Sequence, residues 1–223
     1  MITEGIKFYQ DLYSTPFPYA KYDQIFVPEF RIKGMENVGM ITLTDRLLVD
    51  AATITDDQKL LLRRVTVHEL SHMWFGDLVT MKWWNDLWLK ESYADFSAET
   101  CLSECEPIAS VYPSDRVNMR LLFINLALKA DLEPSTHPIS AQVRHTGDGE
   151  NVFDMISYCK GACWVKVMDN FLGRPTLKRG MQLYFDRFSH KNTVIDDLVG
   201  CMNEALCEIR AAENSSAPEI DLF

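Results

Sequence analysis

The chain has 223 residues, 47% of them apolar and 24% charged, the balance of a soluble globular protein long enough for one sizeable core. Its net charge of -10 argues against nucleic acid or an anionic membrane surface as a partner. No apolar run reaches about 18 residues, so this sequence contains no transmembrane segment, and Met1 to Lys7 lacks the charged start and apolar centre of a signal peptide.

Residues 4 to 15 read as a helix with Ile6, Tyr9, Leu12 and Tyr13 on one side, broken by Thr15-Pro16-Phe17-Pro18. Residues 23 to 30 read as a strand bounded by Pro28, and residues 38 to 44 alternate as a second strand. Between them lies Gly34-Met35-Glu36-Asn37. Extended backbone at a sheet edge there can receive a peptide as an added strand. Taken by itself, Glu36 reads as a turn carboxylate without a role.

A helix should follow. Thr55 and Gln58 have the spacing of a capping box, and Asp56 and Asp57 suit the positive end of a helix. Leu61, Val65, His68, His72 and Phe75 then form an apolar stripe, and Gly76 is a reasonable stop. His68 and His72 stand four residues apart, on one face, where two imidazoles can grip one metal ion. Glu69 lies about 100° round the helix from His68, placed to act as general base beside a metal-activated water. The rival reading is a core helix that carries two histidines by chance.

Glu91 comes 19 positions after His72, far enough for a second helix to return and present it to the metal. Two histidines and a glutamate form a catalytic zinc set. An ordinary surface carboxylate is the alternative, but the surrounding Trp88, Leu89, Tyr93 and Phe96 would make an unpartnered carboxylate costly.

Ser114 can cap a helix running to about Ala130, with Val117, Leu121, Ile124 and Leu128 as its core face. Residues 131 to 151 read as loop, and His137, His145 and His190 as loop or surface histidines without partner spacing. Tyr158 to Leu172 reads as a helix ended by Gly173, followed by one from Pro175 to about Phe188 and a last one from about Asp196 to Ala211. Cysteines 101, 105, 159, 163, 201 and 207 match no zinc ribbon, and their helical spacings suit reduced thiols, which points to a cytoplasmic location.

His68-Glu69-Leu70-Ser71-His72-Met73-Trp74-Phe75-Gly76 and Trp88-Leu89-Lys90-Glu91-Ser92-Tyr93-Ala94 closely resemble the aminopeptidase N-type gluzincins, a family that includes the leukotriene hydrolase. Gly34-Met35-Glu36-Asn37 looks like that family's Gly-Ala-Met-Glu-Asn exopeptidase motif, and Phe153 to Ala162 like its catalytic-tyrosine segment. The four motifs occur in the family's order, and the resemblance covers roughly residues 8 to 210.

The resemblance implies an α+β, thermolysin-like catalytic domain over 1–211. A small antiparallel β lobe at about 20–50 would pack on a larger helical lobe at about 55–211. It implies a zinc metallo-aminopeptidase acting on peptides with a free N-terminus. One Zn2+ would be held by His68, His72 and Glu91, with Glu69 as base and Tyr158 as oxyanion donor. Glu36 would bind the substrate's α-ammonium, within a substrate-binding segment of Gly34, Met35, Glu36 and Asn37. Lys33 and Gly34 replace the family's Gly and Ala, which puts the shape of the first substrate pocket in question. Relatives carry a β-rich domain before this region and a helical one after it. The chain is therefore expected to be a fragment, with 212–223 as a linker. Three rivals stand: a thermolysin-type endopeptidase, the epoxide-hydrolase branch, and a catalytically impaired fragment that only binds peptide or partner. The sequence does not fix the oligomeric state.

Overall fold

The structure, a computed structural model, describes residues 1–212. The first helix, α1 (Ile2–Tyr13), buries Tyr9, Leu12 and Tyr13 and stops at Ser14, whose left-handed φ of 49° turns the chain before Pro16. Tyr9 donates to Val67 O at 2.9 Å and Tyr13 to Ser97 Oγ at 2.5 Å, which fastens α1 to the two segments that carry the site.

Three short strands follow: β1 (Asp23–Val27), β2 (Gly34–Met35) and β3 (Met40–Thr44), in the order β1-β3-β2. Only β2 runs antiparallel to β3; β1 pairs with β3 in parallel, from Asp23 with Met40 to Val27 with Thr44. The expectation of an antiparallel lobe is corrected here. A parallel neighbour needs a connection that carries the chain back to its starting end, and residues 28–39, with β2 among them, make that return. β2 consequently sits at the sheet edge.

α2 (Asp56–Ser71) begins with the expected capping box. Thr55 N donates to Gln58 Oε1 at 2.9 Å and Gln58 N to Thr55 Oγ1 at 3.3 Å. It ends before Gly76, because its last turn tightens: Met73 N bonds to Leu70 O and Trp74 N to Ser71 O. His72 is the C-cap, still in helical geometry, and its N–H still reaches His68 O at 3.3 Å. A short strand, β4 (Val79–Met81), leads to α3 (Trp88–Glu104).

α3 is the central helix, and every residue from Glu91 to Leu102 is buried. It packs against α2 and α7 (Gly161–Leu172). A helix wrapped on all sides loses its amphipathic pattern, so its polar residues must find partners inside the protein. After α4 (Glu106–Ala109) comes α5 (Asp115–Asp131), where a second expectation fails. Val117, Leu121, Ile124 and Leu128 are 58%, 55%, 42% and 58% exposed, while Asp115, Met119, Phe123 and Ala127 face inward. Both stripes have helical spacing. The inner one wins because Asp115 takes a two-pronged ion pair from buried Arg63, both bonds 2.7 Å, and Phe123 lies under Arg64.

The expected loop contains one helical turn, α6 (Thr146–Gly149). α8 (Arg174–Phe188) and α9 (Ile195–Ala212) pack on each other and are joined by Arg179–Glu208 and Arg187–Glu204 ion pairs. Between them, β5 (Lys191–Thr193) pairs in parallel with β4. Apart from Ala212, which ends α9, the expected linker lies outside the described residues. No helix of the described residues is long and apolar enough to cross a membrane.

Candidate metal centre

α2 and α3 meet with three donor atoms facing one point. His68 Nε2 and His72 Nε2 are 3.1 Å apart, and Glu91 Oε2 lies 3.5 Å from the first and 3.4 Å from the second. Tetrahedral ligands about 2.05 Å from zinc lie about 3.3 Å from one another, so the triangle has the size zinc requires. All three residues are buried. The outer ring nitrogens are already engaged. His72 Nδ1 is 2.8 Å from Phe75 O, a pure acceptor, so Nδ1 carries the hydrogen and Nε2 keeps its lone pair.

His68 Nδ1 lies 2.9 Å from Asp95 Oδ1, and Asp95 also accepts two 3.0 Å bonds from Arg64. Asp95 is one turn beyond Glu91 on α3, so one helix presents both a candidate ligand and the support of another. Sequence reasoning passed over Asp95. The i, i+4 spacing of Glu91 and Asp95 was the available signal.

Glu69 is buried beside this triangle, and its Oε2 has no hydrogen-bond partner among the described residues. Burial pushes its carboxyl up to about 7 against the pull of His68 and His72. Burial opposes charge on His68, yet Asp95 outweighs it and pushes the imidazole up to about 10. Burial also disfavours the Glu91 carboxylate, but Lys90 and His72 pull harder and hold it well below the usual range. Gly34 of β2 lies directly over Glu69. A Cβ at residue 34 would come 2.8 Å from Glu69 Cγ and closer still to its carboxylate, so a side chain there must displace the acid.

Glu36 is buried, with Oε1 2.5 Å from Lys90 Nζ. Asn37 is exposed and donates to Thr42 Oγ1 at 3.0 Å, which ties the β2–β3 turn. Lys33 is exposed, and its carbonyl accepts from Thr44 N at 3.1 Å. Met35 pairs with Thr42 in the sheet.

Tyr158 sits in a π-helical turn, Ile156–Lys160, just before α7. Its ring lies parallel to that of His68, centroids 6.1 Å apart. Burial and the neighbouring Glu91 raise its phenol well above the ordinary value. Two side chains hold the turn. Asp154 accepts from Ile156 N and Ser157 N, and Ser92 Oγ on α3 donates to Ser157 O at 2.6 Å. His137 is not a free loop histidine, since its Nε2 lies 2.9 Å from Asp154 Oδ2. His145 and His190 are exposed, as expected.

The description "Peptidase family M1 domain" matches residues 1–215. Aminopeptidase N of Streptomyces lividans is 38% identical over 201 residues, which is 90% of this chain and 23% of the relative. Leucyl aminopeptidase of Saccharolobus solfataricus is 36% identical over 90% of this chain and 25% of its own length. Endoplasmic reticulum aminopeptidase 1 of Rattus norvegicus is 36% identical over 88% and 21% respectively. The chain thus spans about a quarter of the length of these relatives or less. With a family match over nearly all its residues, this chain belongs to the peptidase M1 family.

Proposed function

We propose that the chain carries the catalytic centre of a zinc aminopeptidase that removes the N-terminal residue of peptides. The observation that carries this reading is the His68, His72 and Glu91 triangle with the unpartnered Glu69 oxygen beside it. The family is generally zinc-dependent, and its relatives are named as aminopeptidases. In this reading 1–211 is one thermolysin-like catalytic domain, with a β lobe at about 20–50 and a helical lobe at about 55–211.

His68, His72 and Glu91 would hold a zinc ion, which would supply Lewis acidity toward the scissile carbonyl and a water of lowered pKa. Glu69 takes the proton from the attacking water and passes it to the leaving amine. Its burial beside the ligand triangle, with one oxygen left without a partner, suits a group that must accept and return a proton. Tyr158 stays protonated and donates its hydroxyl to the carbonyl oxygen as charge develops. Glu36 accepts the substrate's α-ammonium, which restricts cleavage to the chain end. The β2 edge at Gly34 and Met35 receives the substrate backbone as an added strand.

Glu69→Gln tests the assignment. The variant should keep about one zinc per chain and lose about 10²–10⁴ in turnover. Retained turnover, or loss of zinc, would refute Glu69 as base. Peptides with acetylated N-termini should resist cleavage, and their ready hydrolysis would favour the endopeptidase reading instead.

A further inference from the structure

Lys90 has no part in the chemistry proposed above, yet it is half-buried beside the site, its side chain 12% exposed. Its Nζ lies 2.5 Å from Glu36 Oε1 and 2.8 Å from Glu91 Oε1. One ammonium therefore bridges the carboxylate assigned to the substrate's amine and the one assigned to zinc. Lys90 and the histidines use different oxygens of Glu91, since Oε2 is the atom facing His68 and His72. The lysine's stem runs over Gly76, where a Cβ would come 3.3 Å from Lys90 Cδ. Four methylenes give the head group reach to either carboxylate.

A buried carboxylate without a partner is costly, and Lys90 removes that cost for Glu36 in the absence of substrate. A substrate's α-ammonium is chemically the same group, and it needs the same carboxylate. We propose that Lys90 is a resident stand-in for the substrate's N-terminus: on binding, the α-ammonium takes Glu36 and Lys90 withdraws to Glu91. Lys90 surrenders one of two partners and remains paired, so the exchange leaves no buried charge alone. It keeps Glu36 ionised and in place between turnovers. It also weakens the hold on any free amine, product amino acid included. This inference rests on Glu36 as the amine anchor.

The test compares zinc-loaded full chain binding to L-leucine hydroxamate and to 4-methylpentanohydroxamate, which differ only in the α-amine. The ratio of their dissociation constants, measured by calorimetry, isolates the amine subsite without turnover. The wild type should favour the amine, and Glu36→Gln should abolish the preference. Lys90→Met, with zinc content intact, should raise the preference by about tenfold or more, the size of one charge-assisted hydrogen bond. An unchanged or smaller preference in Lys90→Met, with that of the wild type still dependent on Glu36, overturns the exchange alone. No preference in the wild type overturns the Glu36 assignment itself. Should Lys90→Met lose zinc, Lys90→Gln and a crystal structure of the wild type with L-leucine hydroxamate decide. In that structure Lys90 Nζ should lie beyond about 4 Å from Glu36 and within hydrogen-bond reach of Glu91; Nζ still on Glu36 would overturn the proposal.

Discussion

Asp95→Asn is the most informative substitution outside the proposed ligands. Asp95 is fully buried, and its carboxylate meets His68 Nδ1 at 2.9 Å and Arg64 at 3.0 Å through both oxygens. Asparagine keeps the shape and one acceptor oxygen. It removes the charge and turns an N–H toward one of its former donors. Leaving a buried partner charge uncompensated costs about 3–5 kcal/mol. Arg64 also lies over the Phe123 ring at 4.6 Å, which offsets part of this, so about 3 kcal/mol is expected. For a chain of this size, that lowers Tm by about 6–12 °C. Separately, His68 loses the group that orients it, which should weaken zinc binding by about 10–100-fold. Thermal unfolding of the metal-free protein reads the first effect, and zinc competition against a chromophoric chelator reads the second. The double variant Arg64→Met with Asp95→Asn removes the orphaned charge, so it should recover stability without recovering zinc affinity. Zinc affinity within about twofold of the wild type in Asp95→Asn would refute the idea that Asp95 sets the metal site through His68.

Two further outcomes are expected. Tyr158→Phe should lower kcat by about 10²–10³ with little change in KM, and should keep zinc, because the ring that lies parallel to His68 is retained; unchanged kcat would return Tyr158 to a packing role. In the metal-free protein, Glu69 is raised from 4.5 to about 7 and His68 from 6.5 to about 10, so both bind protons more tightly when folded. Their stabilisation is complete below the unfolded values of 4.5 and 6.5 and is lost as pH rises through about 7 and about 10. Glu69→Gln removes its share, and the stability difference between metal-free wild type and this variant should fall with rising pH between about 4.5 and 7, by at most about 1.4 kcal/mol per pH unit. A difference that rises over this range, measured by urea unfolding, would contradict the direction of the Glu69 shift.

Local chemistry was legible in the sequence; of the non-local pairings only Glu91 with the two histidines was, through its motif. Thr55 and Gln58 cap α2 because a capping box is written in four consecutive residues. His68 over His72 follows from one helical turn, and it survives although the helix ends at Ser71, since the bond from His72 N to His68 O persists. The parallel partnership of β1 and β3 has no such signature. Five-residue strands alternate alike whether their neighbour runs with or against them. On α5, periodicity offered two stripes. The choice depended on Arg63 and Arg64, more than fifty residues away in sequence. Lys90 on Glu36 and the ring of Tyr158 over that of His68 likewise join residues brought together only by the packing of α3 against its neighbours. Asp95 alone was within reach of pattern reasoning, four residues from Glu91 on the helix that presents both.

The electrostatics of the centre form one connected argument. Glu36, Glu69, Glu91 and Asp95 are all buried, and the permanent cations against them are Lys90 and Arg64. Asp77, which burial pushes up to about 7 and which faces Glu36, Glu69, His72 and Lys90, adds a fifth acid, so carboxylates outnumber the permanent cations in a place where unbalanced charge is costly. Without a metal, protons offset the excess: Glu69 is pushed up to about 7, His68 to about 10, and His72 is raised as well, as Glu36 and Glu91 outweigh its burial. These shifts express one demand for positive charge, and a single divalent ion answers it while freeing the imidazole lone pairs and the base. A bound zinc would therefore offset much of the site's negative charge with Lys90 still in place. An arriving α-ammonium would then meet Glu36 already paired with a lysine. The exchange proposed for Lys90 rests on its two short contacts, which already span both carboxylates.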